Sequence, residues 1–140
     1  MADTFDIEIA TPERLLSRER AIRAQIPAKE GYIGVLPDHA PLLSELGIGA
    51  LTFTTPDDRR FSLAIRGGFL EIYNNVVRVL TDFAERGHEV DVTQAEKDLK
   101  HAQEAMVNPA LGMDIAAALI AVRHAQARID AARKAANREE

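Results

Sequence analysis

The sequence predicts a two-part β + α chain: a β-sandwich or flattened barrel over residues 1–88, then an alanine-rich antiparallel two-helix hairpin over 89–140. Three observations carry that reading. Seven of the eight glycines and five of the six prolines lie before residue 89, the punctuation of short strands and tight turns. In the same stretch apolar residues recur at every second position, as strands with one buried face require. Later the habit reverses, and fourteen of the residues between 92 and 137 are alanine, the best helix former.

Taken in order, Phe5, Ile7 and Ile9 alternate with Asp6 and Glu8. Ile22, Ala24 and Ile26 alternate with Arg23 and Gln25, and Ile33 and Val35 follow. Next come Leu51 with Phe53, then Phe61, Leu63 and Ile65, then the runs FLEIY and VVRVL. Turn chemistry separates them at Pro27–Gly31, Pro37–Pro41, Pro56–Asp58 and Gly67-Gly68. Asn74-Asn75 suits a two-residue hairpin, because asparagine tolerates positive φ. The spacing predicts about eight to ten short strands.

In the second part, Thr93 with Glu96 reads as a capping box that starts the first helix. Asn108, Pro109 and Gly112 form the connection, and Asp114 is placed to cap a second helix running toward Asn137. Ala95, Leu99, Ala102 and Met106 line one face of the first helix. Ile115, Ala118, Val122, Ala125, Ile129, Ala132 and Ala136 line a narrow seam on the second. Alanine allows close approach but buries little area. The hairpin therefore needs a surface to lie on and can leave it at small cost; a permanently docked hairpin is the other reading.

Composition narrows the function. The net charge of −5 argues against nucleic acid, which calls for a concentrated basic surface. With no cysteine, disulfides and thiolate sites are excluded, and a reducing compartment fits. The acidic, alternating start MADTFDIEIATPE is unlike a signal peptide. No apolar run approaches the ~20 residues that span a bilayer, so a soluble chain is expected, with membrane contact only through a partner.

Asp38-His39, inside GYIGVLPDHAPLLSELGIG, is the most reactive-looking pair. A catalytic dyad needs a nucleophile and an orienting group in a pocket. A zinc site needs three or four ligands, and His88, His101 and His124 lack ligand spacing. A tight turn between two prolines, with Asp38 bonding the local backbone, accounts for the pair without catalysis. Gly31-x-x-Gly34 and Gly47-x-Gly49 are not phosphate loops, since no G-x-x-x-x-G-K-[ST] occurs. Arg123, Arg128, Arg133 and Lys134 line the outer part of the second helix, either as a solvated face or as a cationic face for an acidic partner.

These residues carry a resemblance. GVLPDHAPLL, followed by the G-G-x-L-E-x-x-x-x-x-V-x-V-L pattern at Gly67–Leu80 and by the alanine-rich hairpin, resembles the epsilon subunit family of bacterial F-type ATP synthases along essentially the whole chain. The resemblance implies a ten-stranded sandwich with a C-terminal helix–turn–helix. It implies a non-catalytic subunit of the central rotor stalk that couples proton-driven rotation of the c-subunit ring to ATP synthesis. The partners implied are the gamma subunit and the c ring. In an extended state the helices reach the alpha and beta subunits and oppose ATP hydrolysis. Glu30, Gly31, Tyr32, Asp38, His39 and Ala40 fall at these contacts. The complex would sit at the cytoplasmic face of a bacterial membrane, a plastid membrane being the lesser alternative.

Some relatives bind ATP between folded helices through I/L-D-x-x-R-A and further arginines. Here VDVTQA keeps Asp91 and Ala95 but has Gln94 for the arginine. Arg128 fits one later arginine, while Ala117 and His124 stand at two others. Asp91 and Arg128 are thus the candidate residues for ATP as a regulatory ligand, fewer cations meaning weaker charge-assisted binding. Three functions compete: a rotor-stalk subunit, a freestanding nucleotide-sensing sandwich, and a small hydrolase using Asp38 and His39.

Overall fold

The computed structural model describes residues 2–108, 110, 112 and 114–136. Ten strands form two five-stranded sheets that face each other, followed by two helices. The strands are β1 (Phe5–Ala10), β2 (Leu15–Ala21), β3 (Arg23–Ala28), β4 (Gly31–Val35), β5 (Leu42–Glu45), β6 (Ile48–Thr54), β7 (Arg60–Arg66), β8 (Gly68–Tyr73), β9 (Val76–Thr81) and β10 (Ala84–Arg86). A 3-10 turn at Gly87–Glu89 leads to α1 (Val92–Val107) and α2 (Ile115–Ala136). One sheet has the order β2-β1-β9-β8-β5 and the other β10-β7-β6-β3-β4. All pairings are antiparallel except β1 with β9.

The alternating residues build the core between the sheets. Phe5, Ile7, Ile9, Ile26, Leu51, Phe53, Leu70, Ile72, Val77 and Val79 are buried in one cluster that contains no helix residue. Asn74 and Asn75 have φ of 55° and 63°, the double positive φ of a tight hairpin turn. Two predicted details change. Ile22 precedes β3, and the turn between β3 and β4 shrinks to Lys29 and Glu30, with Pro27 inside β3 and Gly31 inside β4.

The helix starts also differ. Asp91, not Thr93, caps α1, its Oδ1 accepting from the Gln94 N–H at 3.1 Å. Aspartate outcompetes the threonine because its carboxylate already reaches the third N–H of the helix. Asp114 caps α2 as predicted, accepting from the Ala117 N–H at 2.7 Å. Pro109 and Asn137 lie outside the described residues. The two helices pack on each other, and α2 also packs on β6 and β7.

The predicted seam is half of what α2 buries. Ala118, Ala125 and Ile129 are buried as seam positions, whereas Ile115 and Ala136 are exposed. A second face, Ala127 and Ala131, packs on Ala50 of β6 and Ala64 of β7, with Ile48 and Phe83 around them. An alanine-rich helix has small residues nearly all round, so it can be buried on two faces without changing its spacing.

Candidate functional site

The segment at residues 30–40 is two sites, not one. Glu30 and Gly31 lie at the near end of β4 and Asp38, His39 and Ala40 beyond its far end, with about 17 Å of five-residue strand between. The structure therefore does not bring the two groups together.

At the far end the aspartate and histidine are spent on structure. Asp38 has φ 64°, and its Oδ2 accepts from the Ala2 N–H at 2.7 Å. Its own N–H donates to Asn75 Oδ1 at 2.8 Å, and Asn75 Nδ2 donates to the Thr4 carbonyl at 2.8 Å. The predicted local backbone bond is thus a long-range one, tying the loop to the N-terminal segment and the β8–β9 turn. His39 Nδ1–H donates to the Ala40 carbonyl at 2.7 Å. Neither side chain faces the other as an acid–base pair would.

At the near end Tyr32 has a buried task. It pairs with Pro27, which has no N–H, and its hydroxyl reaches past β3 to accept from the Ala50 N–H of β6 at 3.1 Å. β3 stops pairing with β6 at Gln25, so without the phenol this buried amide would lack a partner. A Cβ at Gly49 would run into the Tyr32 hydroxyl. Tyr32 as a residue stays 51% exposed, and Lys134 of α2 lies over the ring, 5.9 Å from its centroid.

The bare face of the β2-β1-β9-β8-β5 sheet has a definite pattern. Register puts Leu15, Ala10, Leu80, Phe69 and Glu45 in one cross-strand row. Leu15, Leu80 and Phe69 remain 54%, 53% and 54% exposed. The next row, Arg18, Glu8, Arg78 and Glu71, is an ion-pair chain at 3.4, 3.4 and 3.3 Å. An apolar ridge bounded by fixed charges is the pattern of a protein-binding surface with a polar rim.

The opposite sheet face is the dock for α2. The Ser62 hydroxyl donates to the Ala131 carbonyl at 2.6 Å. Gly87 packs so closely that a Cβ there would overlap the same carbonyl. Arg128 donates to Glu85 through Nε at 2.7 Å and through a second nitrogen at 3.3 Å, with Asp98 of α1 at 3.7 Å. The hydrogen bond to Glu85 raises the arginine's pKa further, against its desolvation. His124 meets the Phe83 ring edge-on at 4.7 Å, and Arg66 lies over the same ring at 5.3 Å. Desolvation, then the charges of Arg66 and Arg128, lower the His124 pKa below the usual histidine value, opposed by Glu85 and Asp98.

The four cations predicted as one outer face of α2 are distributed round it. Arg128 turns inward to Glu85, Arg133 pairs with Asp130 at 3.6 Å, Lys134 covers Tyr32, and Arg123 borders a cleft of about 1050 Å3 with Ile120 and Arg66. Residues five apart on a helix sit about 140° apart around its axis, so 123, 128 and 133 cannot share a face. The nucleotide candidates are likewise committed, Asp91 to the cap of α1 and Arg128 to Glu85. Among the described residues no group of three or more ligating side chains could hold a metal ion.

Ser62, Phe83, Glu85 and Gly87 escaped the sequence reading. One signal did exist: IGALTFT and FSLAIR carry small or apolar residues at both phases, and β6 and β7 are the strands covered on both faces. Continuous burial of that kind marks a strand sandwiched between layers.

Residues 4–87 match the family described as "ATP synthase, Delta/Epsilon chain, beta-sandwich domain". The chain is 49% identical over 134 residues to the ATP synthase epsilon chain of Solibacter usitatus, covering 96% of this chain and 99% of that one. It is 38% identical over 129 residues to the ATP synthase epsilon chain of Moorella thermoacetica, covering 92% and 96%. A chain in the cryo-EM structure of the Euglena gracilis mitochondrial ATP synthase OSCP/F1/c-ring superposes with a TM-score of 0.77 at 22% identity, over 98% of this chain and 84% of that one. That likeness is one of fold.

Proposed function

The chain belongs to the ATP synthase delta/epsilon chain family, and from that membership we propose that it works as a non-catalytic central-stalk subunit of a rotary F-type ATP synthase. In this reading the bare sheet face receives the gamma subunit, from the Asp38–Ala40 loop at its Asn74-Asn75 end to the apolar ridge of Leu15, Leu80 and Phe69 at the other. The turn at Glu30 and Gly31, with the exposed part of Tyr32, meets the c-subunit ring, so that proton-driven rotation is coupled to ATP synthesis. The hairpin is the regulatory half. Released from the sandwich, it extends toward the alpha and beta subunits and opposes hydrolysis.

One observation supports this division best. One sheet of the sandwich carries a docked hairpin on small residues, while the other presents an uncovered apolar row. A chain built this way can keep one partner permanently and exchange the other. No helix among the described residues is long and apolar enough to cross a membrane. The relatives above are bacterial, and the proposed location is the cytoplasmic face of the bacterial membrane, reached through the complex.

The test uses reconstituted complexes. Phe69→Asp with Leu80→Asp is expected to weaken gamma binding at least about tenfold, the loss that removal of an interface anchor produces. Complexes assembled with residues 1–88 alone are expected to retain gamma and to hydrolyse ATP faster than those with the full chain. Unchanged gamma affinity in the double variant would remove the ridge from the contact. Unchanged hydrolysis in the shortened form would remove the regulatory role.

A further inference from the structure

We propose that the sheet face just beyond the last turn of α2 binds a phosphate-class oxyanion, which bridges Arg23 and Arg60 of the sandwich to Lys134 of the hairpin. Strand register supplies the geometry. Thr54 of β6 pairs with Arg23 of β3 on one side and Arg60 of β7 on the other. The three form one cross-strand row, and neighbouring Cβ atoms in such a row stand about 5 Å apart. Ser62, two positions from Arg60 and so on the same face, donates to the α2 backbone. The row therefore lies on the side that the helix covers. Thr52 stands opposite Ser62 in the next row. Together with Lys134 these residues line a cleft of about 320 Å3, and among the described residues no carboxylate stands in its wall.

Three cations without a carboxylate partner among the described residues meet in this one cleft. The chain has 22 acidic and 17 basic residues, and Arg18, Arg20, Lys29, Arg59, Arg78, Arg128 and Arg133 all have carboxylate partners. Among the described residues, Arg23, Arg60 and Lys134 have none. Neither do Arg14, Arg66, Arg86, Lys97, Lys100 and Arg123, but Arg86 donates to the Leu16 carbonyl, and Arg66 and Arg123 border a cleft that also holds Glu45 and Asp82. Asp57, in the adjoining turn, is held by Thr55 and Arg59. Among the described residues the C-terminal end of α2, worth roughly half a negative charge, faces three formal positive ones. Like charges gathered on one sheet face repel each other. A tetrahedral oxyanion relieves that repulsion, accepting from two guanidinium forks, an ammonium group and the Thr52 and Thr54 hydroxyls.

Because the cations come from both parts of the chain, the bound anion favours the docked hairpin by mass action. Inorganic phosphate, pyrophosphate and the phosphate chain of a nucleotide share this chemistry. The site goes beyond the stalk assignment and does not rest on it, since binding is read on the free chain.

The experiment is hydrogen exchange on the full chain with inorganic phosphate, pyrophosphate or ATP, each against sodium chloride at matched ionic strength. At ten times its dissociation constant, phosphate is expected to lower the open population of α2 about tenfold. Pyrophosphate is expected to act at lower concentration. Arg23→Gln with Arg60→Gln is expected to abolish the effect while exchange in the sandwich core stays unchanged. Equal protection by chloride, or an undiminished effect in the double variant, overturns the site. Protection by ATP alone overturns the oxyanion assignment, because the base is then what is read.

Discussion

His124 shows how one side chain makes the dock sensitive to its surroundings. It stands on α2 against Phe83, with the cations of Arg66 on β7 and Arg128 on α2 beside it, and Glu85 of β10 and Asp98 of α1 opposing them. Its pKa is lowered by burial first and by the two arginines second. The docked state thus holds the ring neutral more strongly than the undocked state, where the ordinary value of about 6.5 returns. The sign follows. The contribution of His124 to docking is fully present above about pH 6.5 and is lost as pH falls through the lowered docked-state value. Exchange rates in α2, followed between about pH 7.5 and 5.5 after correction for intrinsic rates, are expected to rise as pH falls, and His124→Phe is expected to flatten that rise. An identical profile in the variant would remove His124 as its source. Nothing in the chain's periodicity marks this histidine; only packing brings Arg66 to the same ring. Asp38 is a similar case, because its turn could be read from Pro37 and Pro41 but its partners Ala2 and Asn75 could not.

Among the elements, the boundary between what was legible and what was not follows the sheet edges. The seven strands named from alternation are β1, β3, β4, β6, β7, β8 and β9. The three left out, β2, β5 and β10, are three of the four edge strands; the fourth, β4, was legible because Ile33 and Val35 turn to the core. LLSRERA on β2 buries only its last residue, and LLSE on β5 buries none. A strand with one neighbour can do without a clean apolar face, and β2 and β5 leave no period to read. The helix pair was legible because alanine, the Asp114 cap and the absence of turn residues all agree. Its second, sheet-facing side was not, because Ala127 and Ala131 look the same in sequence whether they meet solvent or a sheet. Gly87 is what makes that side possible. A methyl group there would overlap the Ala131 carbonyl, and the helix backbone cannot flex away as a side-chain tip can. Gly87→Ala is expected to weaken docking by about 1–3 kcal/mol, the usual cost of overpacking. Ser62→Ala is expected to cost less than about 1 kcal/mol, because a helical carbonyl keeps its intrahelical bond. Methyl NMR of Ala127 and Ala131 in both variants checks the order, and equal shifts in the two would contradict it.

Across the whole molecule the two cores are unequal. The sandwich buries phenylalanine, isoleucine, leucine and valine from both sheets, and no helix residue joins them. The dock beneath α2 consists of Ala50, Ala64, Ala127 and Ala131, bordered by Ile48 and Phe83. At about 0.8 kcal/mol per buried methyl-sized group, four alanines contribute roughly 3 kcal/mol, before the cost of ordering the helices is subtracted. The Arg128–Glu85 pair adds a directional contact, but both groups give up water to make it. Docking is therefore worth a few kcal/mol, within a domain whose total stability is of the order of 5–15 kcal/mol. Two opening events are expected in native-state hydrogen exchange as denaturant rises. Amides of α1 and α2 exchange first, with a slope reporting the small surface between hairpin and sheet. Those of β1, β8 and β9 exchange only in the global transition. Arg128→Gln lowers the first opening energy and leaves the second unchanged, because Glu85 lies on β10, outside the sandwich core. Merging of all amides into one transition would mean that hairpin and sandwich are a single cooperative unit, and a hairpin that cannot leave alone cannot serve as a brake on its own platform.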